Sequence, residues 1–447
     1  MRNGWVVLLA LVLALVMAVS SVASAKPAGS SSGISFSTSV LLRPDGDSEP
    51  AVSIAPDGMV FYTALSWTEF FTNTWKAPFG SEPVFQVPID AQIGPYVGGL
   101  DADVDVGSTG TVHFSTLMGT LTAGGGISKL GVSAIACRNG DLTNCKAQII
   151  DASGADRQWI TSDGTTVYIS YHDSGSSTLI HVQRSDDDGF TWRSVASPIP
   201  GRDGNPADAT FNSDQGPIVA DPTTHSVFAI YAAGEAGLQK GTTADFNNVY
   251  VARSTDRGLT WISTLVHHAL LFTALNNIFP ALAVDPTNGK VYASWSDAHT
   301  VWFSTSADHG SSWSAAVAVN SGQAATAVFP WIAAYRGQVD VVYYGTPADS
   351  KDDPNAVWDT YLARTTDDGA RFTQVKVSDH PNHVGVICTQ GTGCQRGTRN
   401  LLDLFEVAIN PLNGKAVVIF TDDTLTTFIR SDGTVAPLPQ VIVSQEK

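Results

Sequence analysis

Positive charge is scarce in this sequence. Of its 447 residues only 15% are charged, and 25 Lys and Arg stand against 42 Asp and Glu, for a formal net charge of −17. Nucleic acids and anionic membrane surfaces attract basic patches, so this balance argues against both as partners. The chain also has no run of basic residues that would supply a local patch.

Several common catalytic signatures are missing as well. The chain contains no G-x-S-x-G nucleophile motif, no Walker phosphate loop and no H-E-x-x-H zinc motif. Serine-hydrolase, nucleotide-binding and zinc-protease chemistry are therefore not indicated. No motif requires a cofactor.

Cysteine is rare, with four residues in two close pairs. Cys137 and Cys145 bracket R-N-G-D-L-T-N, and Cys388 and Cys394 bracket T-Q-G-T-G. Short loops rich in turn formers close locally in an oxidising compartment. A single four-thiolate zinc site is the alternative, but spacings of eight and six residues are wider than its usual C-x-x-C pairs. We expect two local disulfides.

The N-terminus carries a long apolar run. Arg2 precedes W-V-V-L-L-A-L-V-L-A-L-V-M-A-V, and the small residues A-S-A end the segment at Ala25. This order is typical of a secretory signal peptide, with an uncleaved membrane anchor as the alternative. We predict a signal peptide over residues 1–25 and a flexible leader over 26–40. The mature protein is then secreted, extracellular or periplasmic, with no membrane insertion after cleavage.

An eight-residue repeat occurs four times in the chain. The stretch S-D-D-D-G-F-T-W recurs as S-T-D-R-G-L-T-W, S-A-D-H-G-S-S-W and T-T-D-D-G-A-R-F, at intervals of 69, 52 and 59 residues. An Asp follows the first Ser or Thr by two positions, and a Gly and an aromatic follow the Asp. The Asp can accept backbone N–H bonds in a tight turn, the Gly can adopt a left-handed conformation and the aromatic can be buried. The repeated aspartates are Asp187, Asp256, Asp308 and Asp367.

This acidic row is not a calcium loop. Asp186 and Asp188 are replaced by other residues in most of the copies. An EF-hand loop also needs a Glu at its twelfth position, which here is Ser197.

A longer repeat predicts the fold. Each unit is an apolar strand, a turn of Gly, Asn, Asp or Pro, and an alternating strand, which together predict a β-hairpin. Seven such units begin near Glu49, Asp101, Asp156, Asp214, Phe279, Phe329 and Asp403. A period of about 60 residues with four strands per unit is typical of a propeller blade. We predict an all-β, single seven-bladed β-propeller over residues 41–447, with six blades as the alternative.

The eight-residue repeats resemble the Asp box, S-x-D-x-G-x-x-W, of the BNR-repeat family, which includes sialidases and other secreted β-propellers. The resemblance implies structural turns on the face away from the ligand, and a sialidase-like glycoside hydrolase whose arginines hold a substrate carboxylate. The chain departs from that pattern, because family sialidases have six blades and an early Arg-Ile-Pro stretch that is absent here. Between residues 26 and 130 the one arginine is Arg43. No arginine triad can be nominated.

Three aspartates occupy the same place in three hairpin units. Asp156, Asp214 and Asp403 each lie seven residues before an equivalent turn position, so we expect them to meet near the propeller axis, opposite the Asp boxes. As catalytic residues they would supply the paired carboxylates of a glycosidase. The residues expected to bind substrate beside them are Arg157, Arg399, Arg396, Asp101, Glu49 and His172, with Asp103 in a nearby position. Such hard oxygen ligands would suit calcium if the group binds a cation.

Two classes of function remain open. The first is a secreted glycoside hydrolase that uses two of the axial carboxylates. The second is a non-catalytic, monomeric propeller that binds an extracellular glycan or a cell-surface or secreted protein. A water-bridged polar plug of the axis is the purely structural alternative for the carboxylates.

Overall fold

Seven antiparallel sheets surround one axis in the computed structural model of the chain. The structure describes residues 33–173, 179–199, 213–234 and 246–447. The innermost strands of consecutive sheets contact each other, and the last contacts the first, which closes the ring. The prediction of an all-β, seven-bladed propeller is confirmed, and the six-bladed alternative is wrong.

The chain enters at the rim of the propeller and then builds the blades in sequence order. The first strand, β1 (Phe36–Leu41), is the outermost strand of blade 7. Blades 1 to 3 follow, each passing from an innermost to an outermost strand. Blade 1 contains β2 (Asp47–Ile54), β3 (Met59–Ser66), β4 (Thr72–Pro78) and β5 (Val84–Phe85). Blade 2 contains β6 (Tyr96–Val97), β7 (Ala102–Val106), β8 (Val112–Leu121), β9 (Ile127–Cys137) and β10 (Cys145–Asp151). Blade 3 contains β11 (Ala155–Asp163), β12 (Thr166–Asp173), β13 (Ile180–Ser185) and β14 (Arg193–Val195).

Blades 4 to 7 repeat the same meander. Blade 4 contains β15 (Ser213–Asp221), β16 (Ser226–Ala233), β17 (Asn248–Ser254) and β18 (Ile262–His268). Blade 5 contains β19 (Ala281–Val284), β20 (Val291–Ser296), β21 (Val301–Ser306) and β22 (Val317–Ala318). Blade 6 contains β23 (Thr326–Tyr335), β24 (Gln338–Thr346), β25 (Val357–Thr365), β26 (Thr373–Lys376) and β27 (His383–Val384). Blade 7 contains β28 (Glu406–Ile409), β29 (Ala416–Ile429) and β30 (Val435–Glu446). Short 3₁₀ turns occur at Arg138–Gly140 and Gly391–Gly393.

Strand β1 completes blade 7 by pairing with β30, so the first and last strands of the propeller close the ring. The N–H of Lys447 also donates to the carbonyl of Ser35 at 2.9 Å. The predicted leader was therefore too long, because residues 36–40 belong to a strand. The sequence F-S-T-S-V-L is too polar to indicate a strand by itself, and the strand forms through its pairing with β30. The predicted signal peptide lies outside the described residues.

The hydrophobic core lies between the faces of neighbouring blades. In the seam between blades 1 and 7, Val60 and Tyr62 of β3 pack in one cluster with Val417 and Ile419 of β29. Similar clusters of buried residues join the other neighbouring blades. Because alternate side chains of a strand point to opposite faces, each blade buries apolar residues on both sides.

The four repeated aspartates lie in the turns between the third and fourth strands of blades 3 to 6. In the blade 5 turn, Asp308 accepts the N–H of Ser312 at 2.8 Å and the hydroxyls of Ser306 and Ser312 at 2.8 and 2.6 Å. Asp187, Asp256 and Asp367 accept the corresponding backbone N–H at 2.7 to 3.0 Å. The glycine of each turn has a left-handed φ between 80° and 89°. The hydrogen bonding predicted for these turns is confirmed.

Both predicted disulfides are present, and the zinc alternative is wrong. Cys137–Cys145 joins two adjacent strands of blade 2, and Cys388–Cys394 closes a loop that leads into blade 7. Such bonds fit an oxidising compartment. Within the described residues, no helix is long and apolar enough to cross a membrane.

We predict that Asp308→Ala lowers the free energy of unfolding by about 1 to 2 kcal/mol at pH 7, because the turn loses charge-assisted hydrogen bonds. The bonds from Ser312 and Ser306 lower the pKa of Asp308 to about 2. Its contribution is therefore present above the unfolded pKa of about 4 and is lost as pH falls towards 2.

Urea denaturation of wild type and variant at pH 7 and pH 2.5 checks this prediction. The control is Asp352→Ala, which removes an exposed carboxylate whose ion pair is with the adjacent Lys351. An equal stability difference at both pH values would contradict the assignment.

Candidate functional site

Three innermost strands carry bulges on the face opposite the turns of the four repeated aspartates. In β2, β11 and β23, two residues oppose one on the neighbouring strand. The first bulge residue in each is not glycine yet has a positive φ, which is 47° for Glu49, 40° for Arg157 and 58° for Phe329. Bulges with left-handed residues re-aim side chains and are frequent beside functional sites.

The three aspartates predicted to converge belong to one charged group. The carboxylate of Asp156 acts electrostatically on Asp101, Asp101 on Glu49, Asp403 on Glu49, and Asp403 also on Asp214. Arg157 and Arg399 both act on Glu49 and Asp101. We define the axial mouth by the residues Glu49, Asp101, Asp156, Arg157, Asp214, Arg399 and Asp403.

Asp403 is held in place from two sides. Nε of Arg399 donates to its Oδ1 at 2.9 Å, and Nη2 of Arg399 contacts its Oδ2. The N–H of Asp403 donates to Oε1 of Glu49 at 3.0 Å. These contacts link blade 1 to the loop that precedes blade 7, and they fix the Asp403 carboxylate at the mouth.

Burial raises the pKa values of several carboxyls at the mouth. For Glu49 the pKa lies well above its ordinary value, because of burial and of the charges of Asp101 and Asp403. Burial also raises the pKa of Asp101, although Arg157 opposes the shift. Burial and the charge of Asp403 raise the pKa of Asp214 to about 8, against a hydrogen bond from Asn276. The mouth therefore holds at least one carboxyl, that of Asp214, whose raised pKa keeps it protonated near neutral pH.

Two further buried carboxyls lie below the mouth. Asp103 accepts the N–H of Ile160 at 2.8 Å, and Glu406 accepts the N–H of Val52 at 2.8 Å. Burial raises the pKa of Asp103 to about 7 and that of Glu406 well above its ordinary value. Sequence reasoning missed Glu406, although a Glu among the apolar residues of F-E-V-A-I was a signal.

A cavity of about 250 Å³ follows the axis below the mouth. We call it the axial channel. Its polar wall includes Asp103, Asp105 and Glu406 from blades 2 and 7, and its apolar wall includes Leu282 and Trp331 from blades 5 and 6. The channel is therefore polar on one side and apolar on the other.

Arg157 is a buried cation next to these carboxyls. Its guanidinium lies 4.7 Å from the ring centre of Trp159 and 5.9 Å from that of Phe279. The residue is only 4% exposed, and its Nε and Nη1 have no hydrogen-bond partner. Its charge lowers the pKa values of Glu49, Asp101, Asp103 and Glu406, against the larger effect of burial.

Two predicted substrate-binding residues are placed differently from the rest. Arg396, two residues after Cys394, is largely exposed, and it pairs with Asp432 of the β29–β30 hairpin at 3.3 Å. His172 is buried opposite Asp156 in the strand register, and its Nδ1 lies 3.0 Å from the carbonyl of Asp173. The Arg396 side chain is therefore not at the mouth. His172 lies on the second strand of blade 3, opposite Asp156 of the innermost strand.

The calcium hypothesis stays a prediction. Over the described ranges, no group of three or more His, Cys, Asp or Glu side chains has an arrangement that could hold a metal ion. Titration of metal-free protein with calcium chloride is the direct measurement.

Solved structures share this fold at low sequence identity. A protein of unknown function from Dyadobacter fermentans matches with a TM-score of 0.50 and 12% identity, over 93% of this chain and 100% of that one. The α-L-arabinofuranosidase of Fusarium graminearum, solved with arabinobiose, matches with 0.52 and 12%, over 74% and 98%. The endosialidase of phage phi92 matches with 0.51 and 10%, over 93% and 69%. No family model and no curated protein matches the chain. These likenesses concern the fold alone.

We predict that Asp214→Asn makes the protein more stable relative to wild type at pH 9 than at pH 5. The folded state keeps a proton on Asp214 up to a pKa of about 8, whereas the unfolded chain loses it near pH 4. The contribution of Asp214 is thus fully present below pH 4 and is lost as pH rises through 8. Because Asn cannot ionise, the melting temperature of the variant relative to wild type should be about 1 to 3 °C higher at pH 9 than at pH 5.

Melting curves at pH 5 and pH 9 measure the effect. The matched control is Asp432→Asn on the exposed hairpin, where hydrogen bonds from Thr434 lower the pKa to about 2. That variant should show no change between these pH values. A constant difference for Asp214→Asn would mean that the carboxyl is already ionised at pH 5.

Proposed function

We propose that this protein is a secreted, sialidase-like propeller that acts on or binds glycans at its axial mouth. In the enzymatic form of the proposal it is a glycoside hydrolase that uses two of the mouth carboxylates. The observation that carries the proposal is the pairing of Asp214 with Asp403, two interacting carboxyls in unlike environments.

Their environments suggest separate roles. Burial keeps Asp214 protonated near neutral pH, as a general acid requires. Arg399 holds Asp403 as an ion pair, as a base or nucleophile requires. Two carboxyls with environments that separate their protonation states are the arrangement that glycoside hydrolysis uses. Asp156 is the third candidate, and its Oδ1 accepts the N–H of Arg157 at 2.9 Å.

The comparisons support this proposal only through the fold. Two similar structures are described as an arabinofuranosidase and an endosialidase, both named for glycoside cleavage. Folds of this type also carry unrelated functions, so the argument depends on the residues of the mouth.

A non-catalytic binding propeller is the second candidate. It is favoured by Asp103 and Glu406, whose carboxyl oxygens accept hydrogen bonds from backbone N–H groups of neighbouring strands and so have a structural role. In this form the same face binds an extracellular glycan or a cell-surface or secreted protein, without turnover.

We predict that Asp214→Asn and Asp403→Asn each lower turnover of a responsive glycoside by a factor of about 10² to 10⁴, because each removes one partner in proton transfer or nucleophilic attack. A chromogenic glycoside panel and a glycan array on the mature protein identify the responsive ligand. Melting temperatures establish that both variants are folded.

The matched control is Asp367→Asn in the Asp box of blade 6, on the opposite face. It should lower stability and leave turnover unchanged. Binding without turnover, weakened by the mouth variants, would support the binding form instead. A wild type with neither binding nor turnover on these panels would contradict the proposal.

A further inference from the structure

The guanidinium of Arg157 lacks partners although it is almost fully buried. Among its nitrogens, Nε and Nη1 make no hydrogen bond, and the residue is 4% exposed. Its position is fixed by the rings of Trp159 and Phe279 and by its place in the β11 bulge. Buried donors are nearly always paired, so unpaired ones at the mouth of a cavity indicate a missing acceptor.

The other arginine of the mouth already has its partner. Arg399 contacts Asp403 through its Nε and Nη2. Of the two arginines that define the axial mouth, Arg157 is the one with buried donors that have no hydrogen-bond partner. It faces the carboxyls of Glu49, Asp101, Asp103 and Glu406, which act on it through charge without closing a hydrogen bond to Nε or Nη1.

The charge of this group limits the ligand that can reach Arg157. An incoming carboxylate would compete for Arg157 with Glu49 and Asp101, whose ionised forms the Arg157 charge favours, and like charges brought together cost binding energy. An incoming cation would face the Arg157 charge at the same point. An uncharged hydroxyl group avoids both penalties, since it can accept from Arg157 and donate to a carboxylate.

The apolar side of the mouth suits the same ligand. Phe279 and Trp331 are partly buried and belong to the same cluster as Trp159, and Trp331 also lines the axial channel. Sugar rings combine hydroxyl edges with an apolar face that packs on aromatic rings. Aromatic residues on one side of the mouth, and carboxyls with a free guanidinium on the other, match both surfaces of a sugar ring.

We infer that the axial mouth selects an uncharged, polyhydroxylated sugar residue, that Arg157 donates to its hydroxyl oxygens, and that sugars carrying a carboxylate are excluded. This inference rests on the proposed function, and it names the substrate class of the same site. It separates the chain from a sialidase, whose substrate carries a carboxylate.

The inference is tested with pairs of oligosaccharides of the same linkage. The members of a pair differ only at carbon 6, which is a hydroxymethyl group in one and a carboxylate in the other. Calorimetric titration of the mature wild-type protein at pH 7 should show the neutral member of a bound pair binding at least about 30-fold more tightly. The pKa is raised to about 8 for Asp214 at the mouth and to about 7 for Asp103 below it, so negative charge develops there as pH rises and this preference should grow between pH 5 and pH 8.

Two substitutions separate the contributions. Asp101→Asn keeps the shape of the side chain and removes a charge, so affinity for the carboxylate member should rise by about tenfold relative to affinity for the neutral member. Arg157→Lys should lower affinity for the neutral member by about 10- to 100-fold, because an ammonium cannot reproduce the planar donors. Arg371→Lys, at an exposed Asp-box position on the opposite face, is the matched control and should bind as wild type does.

The outcomes distinguish this inference from the proposal beneath it. A carboxylate oligosaccharide that binds as tightly as its neutral partner, and loses affinity in Asp214→Asn, would overturn the inference and leave the proposed function standing. Neutral binding that is unchanged in a folded Arg157→Lys would also overturn it. If neither member of any pair binds, both fail. If Arg157→Lys does not fold, the Asp101→Asn result and the pH dependence decide.

Discussion

The structure depends on hydrogen bonds to the backbone groups that the seven innermost strands present along their unpaired edges at the axis. Each of these strands pairs with one neighbour in its own blade, so its other edge presents backbone N–H groups to a narrow channel. Side chains from the preceding blade accept several of these groups. Glu406 accepts from Val52, Asp103 from Ile160, and Thr161 from Ala220. The same bonds join one blade to the next. Closure of the ring and hydrogen bonding of the strand edges therefore depend on the same contacts.

This constraint explains why carboxyls are buried at the axis at all. Burial without a partner would be costly, and the backbone N–H groups and Arg157 offset part of that cost. What remains unbalanced appears as raised pKa values, to about 7 for Asp103 and about 8 for Asp214. The raised pKa values at the mouth thus follow from the way the blades are joined around the axis. Asp103 and Glu406 accept backbone N–H groups, whereas Asp214 interacts with the charge of Asp403 and with Asn276, and that difference separates structural from candidate reactive carboxyls.

Part of the site was predictable because equivalent positions in repeats become neighbours around an axis. That reasoning placed Asp156, Asp214 and Asp403 together from their common distance to a turn. It overestimated Arg396, because closeness to Asp403 in sequence does not fix the direction of a loop side chain, and this one pairs with Asp432 instead. It missed Glu406, whose function as a cap is set by a strand from the other end of the chain. The same long-range pairing turned residues 36–40 from a predicted leader into the strand that completes blade 7.

The sequence by itself determined the class of fold, the turns of the four repeated aspartates and the two local disulfides, and it favoured seven blades over six. Each of these depends on local patterns: alternation and turn residues that recur from unit to unit, and short cysteine spacings in two loops. The tertiary structure alone decided which charged groups share an environment, which carboxyls cap strand edges and that Arg157 is left with free donors beside two aromatic rings. Protonation and hydrogen bonding depend on burial and on distances between residues that are far apart in sequence, and closure of the ring sets both.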